Sequence, residues 1–502
     1  MNSCNYSGDR LREKWGRRRR QAGRKKGRED GQRSEGAGKL WSMEEASSYE
    51  QCTKEELIKI IMGQAHEIAA LKKELEDLKS SKEGEVAKNS TNSSIPPSKD
   101  LVRRTRSLRK KSGKKSGGQP GHRGHHRGWK ENPDRIVPIE NECCGGCGAS
   151  LEGIVGTVGK RVQEVDVPPI TAVTTEYQQM IKVCSCGYCN CPELPVDGHV
   201  TIGPRMSALM TYLNVAHAFP YDRLSQVTQD LLGFAISEGT IANKLSKMRG
   251  KIKEVVHKIK QKVIRSAWSG SDETGTHVAG KLWWEWVWQS PEASYFVIEP
   301  SRAYKVVKEH FTETYQGVLC HDNWSAQNNT SASAHQLCHA HLLRKLQYSI
   351  EKEKSVYAAQ VQQLLRGSQK DRERIWSEGF SEAERKQVIE SYVEQLETLN
   401  RKEVIHPEEK KLQKCFVKYR DWIFTFMAYS DVPPDNNSSE RAMRAAKVKD
   451  KISGGFRSQA GATRFADLLS LTHTLRKQRL PLLDSLAAVF QGIDILPGFS
   501  SG

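Results

Sequence analysis

The stretch that decides how this chain folds is AWSGSDETGTHV at 267–278, followed by KLWWEWVWQS at 281–290, ASYFVIEPS at 293–301, AYKVVKEHF at 303–311 and GVLCHD at 317–322. Three short apolar runs separated by turn residues predict three successive antiparallel strands, because alternation at period two turns one face of each strand toward a core. The fourth run has helical spacing, and the fifth is apolar but too short for a helix, so it reads as a further strand. Trp284, Trp286 and Trp288 share one face of the second strand. Aromatic residues at that period point to a core, with base stacking as the second reading. Asp272 lies on the first strand and Asp322 closes the fourth, while Glu273, one residue along from Asp272, projects from the opposite face.

Three strands, a helix and a fourth strand, with an acid on the first strand and another ending the fourth, is the ribonuclease-H-like order. Residues 264–341 are read as the first part of that mixed-sheet core and 431–495 as its last part. Between Asp322 and Glu440 lie 117 residues, too many for a simple connection, and 342–430 are helical by composition, so a helical insertion is expected there. Upstream, 199–263 has helical spacing of apolar residues. LSQVTQDLLGFAISEGTIANKLSKM within it has the pattern of a helix-turn-helix, with Ser237 or Thr240 near the start of the second helix; an ordinary helical corner fits equally well.

Seven cysteines fall between Cys143 and Cys191. Tetrahedral zinc takes four thiolates from two tight turns, and Cys144-x-x-Cys147 with Cys186-x-x-Cys189 supply two such pairs, each with a glycine (Gly148, Gly187) where the turn needs it. Cys143, Cys184 and Cys191 stand near enough to substitute. The alternating runs RVQEVDV and TTEYQQMIKV between the pairs predict a hairpin that brings the turns together, making 136–198 a zinc-ribbon-like unit. Clustered thiols in a chain without a signal peptide or an apolar membrane span are read as metal ligands rather than disulfides, and the protein as cytoplasmic.

The net charge of +18 is unevenly spread. Residues 1–42 carry 13 Lys/Arg against 5 Asp/Glu and residues 99–130 carry 12 against 1, so the remainder is close to neutral. Two basic, Gly/Ser-rich arms on nearly neutral domains are suited to DNA phosphates, with Arg103, Arg104, Arg106, Arg109, Lys110, Lys111, Lys114 and Lys115 as the contacts of the second. Residues 1–48 are expected to be a disordered basic extension, and 81–135 a basic linker rich in Gly, Ser and Pro. Between them, Leu57, Ile61, Ile68, Leu71, Leu75 and Leu78 recur on steps of three and four with Gln64 as the one polar core position, which predicts a coiled coil over 50–80 and at least a dimer. A single amphipathic helix is the other reading of that short seam.

NSTNSSIPPSKD and GGQPGHRGH in the linker, the paired cysteines, SDETG at Ser271, HDNW at His321, CHAHLLRK at Cys338 and DNNSSERAMR at Asp435 together resemble the insertion-sequence-66 family of transposases, nearly end to end over 50–495. The resemblance implies a multidomain α/β enzyme with a ribonuclease-H-like core. Asp272, Asp322 and Glu440 match the family's three catalytic acids, and Cys338 with His341 matches a structural C-x-x-H pair after the second acid. The reaction it implies is metal-dependent cleavage at the inverted repeats ending a transposon, then transfer of the freed 3′-hydroxyl into target DNA. Such a protein acts on chromosomal or plasmid DNA, and elements of this family commonly encode two small accessory proteins as possible partners.

The chemistry asks for the same set independently. In-line displacement at phosphorus builds charge on entering and leaving oxygens, two Mg2+ or Mn2+ ions about 4 Å apart neutralise it, and carboxylates are the ligands these hard cations prefer. Asp272 is the natural bridge, Asp322 and Glu440 each completing one ion. Arg441 and Arg444 follow Glu440 on its helix as DNA contacts; Arg444, one turn on, reads equally as an ion-pair partner of Glu440. Gly454, Gly455 and Gly461 are expected to let backbone approach DNA. The chain departs from the family pattern in its basic extension before Met43, in His321 before the second acid and in Asn323-Trp324 after it. His321 there would perturb metal binding or accept a proton. Two rival functions share much of this pattern: a DNA-binding regulator without catalysis, and a nuclease without strand transfer.

Overall fold

The computed structural model describes residues 53, 61–63, 68, 88–89, 91–93, 121, 128–196 and 198–499. The chain divides into two compact units, 1–84 and 85–502. In the first, Ile61, Met62 and Ile68 are helical and exposed; the rest of the expected coiled coil, the basic extension and Arg103–Lys115 lie outside the described residues.

In the second unit two turns carry the cysteines, around a minimal pair of strands, β1 (Lys182–Val183) and β2 (Cys189–Asn190). Helices follow: α1 (Pro204–Thr211), α2 (Tyr221–Leu232), α3 (Glu238–Lys251) and α4 (Lys253–Ile264). Gly233 ends α2 in the left-handed conformation, and the Ser237 hydroxyl caps α3 by accepting from Thr240 N at 3.2 Å, as the sequence predicts.

The expected strands then appear: β3 (Trp268–Val278), β4 (Lys281–Gln289), β5 (Ser294–Glu299), α5 (Tyr304–His310), β6 (Thr314–His321), α6 (Ser325–Asn328) and β7 (Ser331–Leu337). They make one five-stranded sheet, ordered β5-β4-β3-β6-β7. β3 pairs antiparallel with β4 and β4 with β5, whereas β3, β6 and β7 run parallel. Trp286 and Trp288 are fully buried, stacked 5.7 Å apart and packed on Phe311, so their period-two placement is core.

After β7 come α7 (His339–Glu353), α8 (Val356–Ser377), α9 (Glu382–Asn400), α10 (Pro407–Lys418) and α11 (Thr425–Ala428). Their apolar faces, among them Leu346, Leu365, Phe416 and Phe426, close a second core against Val318, Cys320 and Leu337 of the sheet. The chain returns to the sheet through α12 (Asn437–Ser453), α13 (Gln459–Lys477) and α14 (Leu482–Phe490). Hydroxyls of α13 finish the free edge of β5: Ser294 N donates to Thr474 Oγ1 at 3.2 Å and Phe296 N to Ser470 Oγ at 2.9 Å.

One expectation is corrected here. Among the described residues the alternating runs 161–167 and 174–183 form no ladder beyond the two residues of β1, and Val155, Val173 and Val183 are exposed. Alternation satisfies only one face of a strand, and a strand without a hydrogen-bonded neighbour is not stable. Without bearing on the expected approach to DNA, two of the glycines after α12 have an internal role as well: Gly454 is the helix's left-handed C-cap, and Gly455 (φ +109°) lies so close to the His277 backbone that any Cβ would collide with it.

Candidate active site

Asp272 sits in the middle of β3 opposite Val287, on the face that α12 covers. That cover is tight because residue 270 is a glycine. A Cβ there would strike Ser439 Oγ and lie 2.7 Å from Asn436 Oδ1, so the first turn of α12 rests directly on the strand. Asn436 secures it: its side chain donates to Ser271 O at 2.7 Å and its backbone N–H to Cys338 Sγ at 3.2 Å. Asp435 accepts from Asn437 N at 3.0 Å and begins the helix. Glu440 falls in that first turn.

Asp322 follows β6 directly, and Asn323 turns the chain in the left-handed conformation (φ +69°). Burial first, and then the charges of Asp322, Glu273 and Glu440, raise the Asp272 carboxyl well above its usual range. Burial also raises Asp322, opposed by Lys345, Arg302 and Arg344. A buried carboxyl raised by three neighbouring acids marks a place where added positive charge would be favourable. Asp322 Oδ1 is buried and accepts no hydrogen bond from a described group.

His341 stands between two of the acids, with Nε2 3.7 Å from Asp322 Oδ2 and Nδ1 3.6 Å from Glu440 Oε1. Burial pushes the imidazole down to about 4, so it is neutral. Arg344, one turn along α7, reaches Glu440 Oε1 at 3.3 Å. Among the described residues the one group of three or more ligand atoms within 4.8 Å is Cys338, His341 and Glu440. Burial pushes the Cys338 thiol up to about 12, and its sulfur is occupied by the Asn436 N–H.

Glu273 occupies the other face of β3, as expected, but it is not idle. Its side chain is 2% exposed, with Arg302 Nη2 at 2.6 Å from Oε1 and Gln327 Nε2 at 2.7 Å from Oε2. The Arg302 guanidinium lies over the rings of Trp284 (4.5 Å) and Trp324 (3.5 Å). Nothing in the sequence marks Arg302; Arg344 was legible only as a residue three after His341.

His321 is fully buried and closed off by neighbours. His335 Nε2 lies 3.0 Å from Thr330 O and donates to it, so His335 Nδ1 accepts from His321 Nε2 at 2.9 Å. His321 Nδ1 is left to accept from Asn323 N at 3.3 Å. Burial holds both imidazoles neutral, His335 at about 4. His321 therefore fixes the turn after Asp322 and is not an open proton acceptor. Arg441 and Arg444 are exposed on α12, and Arg444 makes no ion pair with Glu440 among the described residues.

The first cysteine turn is ordered by Gly148 N donating to Cys144 O (2.9 Å) and Cys144 N to Ala149 O (2.8 Å); N–H groups of Cys147 and Gly146 lower the Cys144 thiol. In the second, Gly187 N donates to Cys184 O (2.9 Å), and Cys186 lowers the Cys184 thiol. Cys184 thus takes in its turn the place of Cys144, while Cys189 begins β2. Among the described residues no three of these seven thiols lie within 4.8 Å of one another.

Residues 199–464 match the family described as Transposase IS66 family. Residues 48–128 match a family of unknown function, DUF6444. No curated protein matches the chain. Among the described residues no helix is long and apolar enough to cross a membrane.

Proposed function

Because the chain belongs to the IS66 family of transposases, we propose that it cleaves the phosphodiester bonds at transposon ends and joins the freed 3′-hydroxyl to target DNA, with Asp272, Asp322 and Glu440 as its catalytic acids. The observation that carries this reading is that Asp272 on β3 and Asp322 directly after β6 are both buried carboxyls raised above their usual range, with Asp322 and Glu440 adding to the rise at Asp272, on a sheet ordered β5-β4-β3-β6-β7. With β3 as first strand that order supports a ribonuclease-H-like core, and Asp272 on β3 and Asp322 after β6 belong to its neighbouring parallel strands.

The residues fit two divalent ions. Asp272, Asp322 and Glu440 would supply the carboxylate oxygens that hold them, and Asp322 Oδ1, buried without a hydrogen-bond partner, is an oxygen ligand of the right kind. Mg2+ or Mn2+, when bound, supplies the positive charge that neutralises entering and leaving oxygens. His341 and Arg344 hold Glu440 in place, and Arg302 holds the β3 face behind Asp272 rigid. Zinc belongs to the cysteine turns through Cys144, Cys147, Cys186 and Cys189, with Cys184 as the alternative ligand. DNA is gripped by the arm over 103–115 and by Arg441 and Arg444, and the seam over 50–80 joins at least two copies.

The test is Asp272→Asn, Asp322→Asn and Glu440→Gln, assayed for nicking and joining of DNA that carries the ends flanking the gene. Each swap keeps shape and removes one charge, so cleavage should fall by about a thousandfold or more, in line with losing a main electrostatic group. Near-normal cleavage by any one of them removes that residue from the triad.

A further inference from the structure

Behind the first turn of α12, on the side away from the acids, the start of β3, the end of β4 and α13 enclose an open cleft of about 380 Å³. No carboxylate lines it. Arg441 on its rim is exposed and has no ion-pair partner among the described residues. On its floor the Lys477 amine donates to Gln289 Oε1 (2.8 Å) and to the carbonyls of Ser290 (2.5 Å) and Ala293 (3.0 Å); its three donors are taken and burial pushes it down to about 7, so it shapes the floor and leaves the charge of the cleft to Arg441. Two further donors are left over. The indole Nε1 of Trp268, a residue 8% exposed, and the hydroxyl of Ser438 are both buried without a partner. Unsatisfied buried donors of this kind are uncommon in native structures. A concave surface with one exposed arginine, two spare donors and no acid is complementary to an anion.

We propose that this cleft holds a backbone phosphate of the same DNA strand whose neighbouring bond lies at the acids. The inference rests on the transposase reading and adds a second phosphate contact to it. Ser438, Arg441 and Ala442 form one stripe of α12, three and four residues apart, while Glu440 is turned 200° from Ser438 at 100° per residue. The first turn of α12 is therefore a partition, with acids on one side and the cleft on the other. A helix is roughly 10 Å across. A strand crossing the first turn of α12 would thus place one phosphate among the acids and a nearby phosphate of the same strand between Arg441 and Trp268. Arg441 supplies the charge, and Trp268 and Ser438 supply neutral hydrogen bonds.

The experiment uses the full chain and a fluorescein-labelled DNA duplex, read by anisotropy across a salt series. Arg441→Ala should weaken binding about fivefold and reduce the log–log salt slope by about one. Trp268→Phe, and Ser438→Ala as a variant that leaves the core untouched, should weaken binding by a few fold with the slope unchanged, since each removes a donor and no charge. Wild-type affinity and slope in both Arg441→Ala and Ser438→Ala overturns the proposal. Inorganic phosphate separates the two sources of the anion: if it raises the melting temperature of the wild type but not of Arg441→Ala, and the DNA slope stays at the wild-type value, the cleft takes free phosphate and the strand assignment is wrong. Cleavage by Asp272→Asn would sink the transposase reading alone, because the salt slopes are measured without any cleavage step.

Discussion

Residues 161–183 and 268–299 read alike, both alternating apolar and polar side chains with turn residues between the runs. Their fates differ. The second stretch makes three strands of a sheet whose central Trp286 and Trp288 are fully buried, whereas the first leaves Val173 89% exposed. Alternation marks which side of a strand can be buried, but burial itself needs something to bury against. For 268–299 that something is encoded elsewhere in the same chain, in α5, α12 and α13. The cysteine-bearing stretch has no such cover among the described residues, and its cohesion depends on what its two turns bind.

The largest expected effect tests that dependence. Zinc should bind at about one equivalent per chain, and chelation, or Cys144→Ser, should abolish the ordered structure of 136–198 while the sheet stays folded, because structural zinc contributes on the order of 10 kcal/mol to small domains. Metal analysis with proteolysis of that segment decides it. Less than about half an equivalent of zinc, with no change on chelation, would sink the idea. The Cys184→Ser and Cys189→Ser pair sharpens it, since the second turn makes Cys184 the neighbour of Cys186.

Next in size, Trp286→Ala should cost about 3–5 kcal/mol in urea unfolding, and Val173→Ala less than about 0.5 kcal/mol. A comparable loss from Val173→Ala would show that the cysteine-bearing stretch has a core after all.

The sheet also carries a titration that the exposed stretch lacks. Glu285, fully enclosed on β4, has its carboxyl raised to about 8 by burial, so the folded chain keeps a proton that the unfolded chain releases above its ordinary value of 4.5. Stability from this group is complete below about 4.5 and is lost as the pH rises toward 8, at up to about 1.4 kcal/mol per pH unit. Glu285→Gln should flatten the slope of stability against pH in that window; an unchanged slope places the titration elsewhere.

The smallest effect concerns Glu273. Glu273→Gln should lower stability by about 1–2 kcal/mol, because Arg302 loses its buried charge partner yet remains a third exposed and stacked on two tryptophans. Per folded molecule, cleavage should persist. Thermal melting with single-turnover cleavage separates the two, and loss of cleavage at unchanged stability would make Glu273 an acid of the site.

The positions of Asp272 and Asp322 were legible because each belongs to an apolar strand of plain pattern, and Glu440 because its motif opens a helix. The residues that hold them were not. Arg302 reaches Glu273 from beyond two strands, and Asn436 reaches Ser271 across 165 residues; spacing along a chain carries no trace of such pairs. His321 was misjudged for a similar reason. Its neighbour in space is His335, fourteen residues on, and that contact turns a possible proton acceptor into a structural ring. In the cysteine region the failure ran the other way, since local pattern promised strands for which no partner was encoded nearby.

Asn436 has one more consequence, for the order in which the molecule is assembled. Its two clasps close loops of 98 and 165 residues, and both must form before Glu440 can face Asp272. Contacts of such long separation form late, after the helices of 339–428 have collapsed, because the entropy of closing the loop is lost before the contact returns anything. A ribosome that has released β3, β6 and β7 has therefore made two of the acids but not the site. On the proposed assignment of the acids, chains that stop before α12 should bind DNA without cutting it.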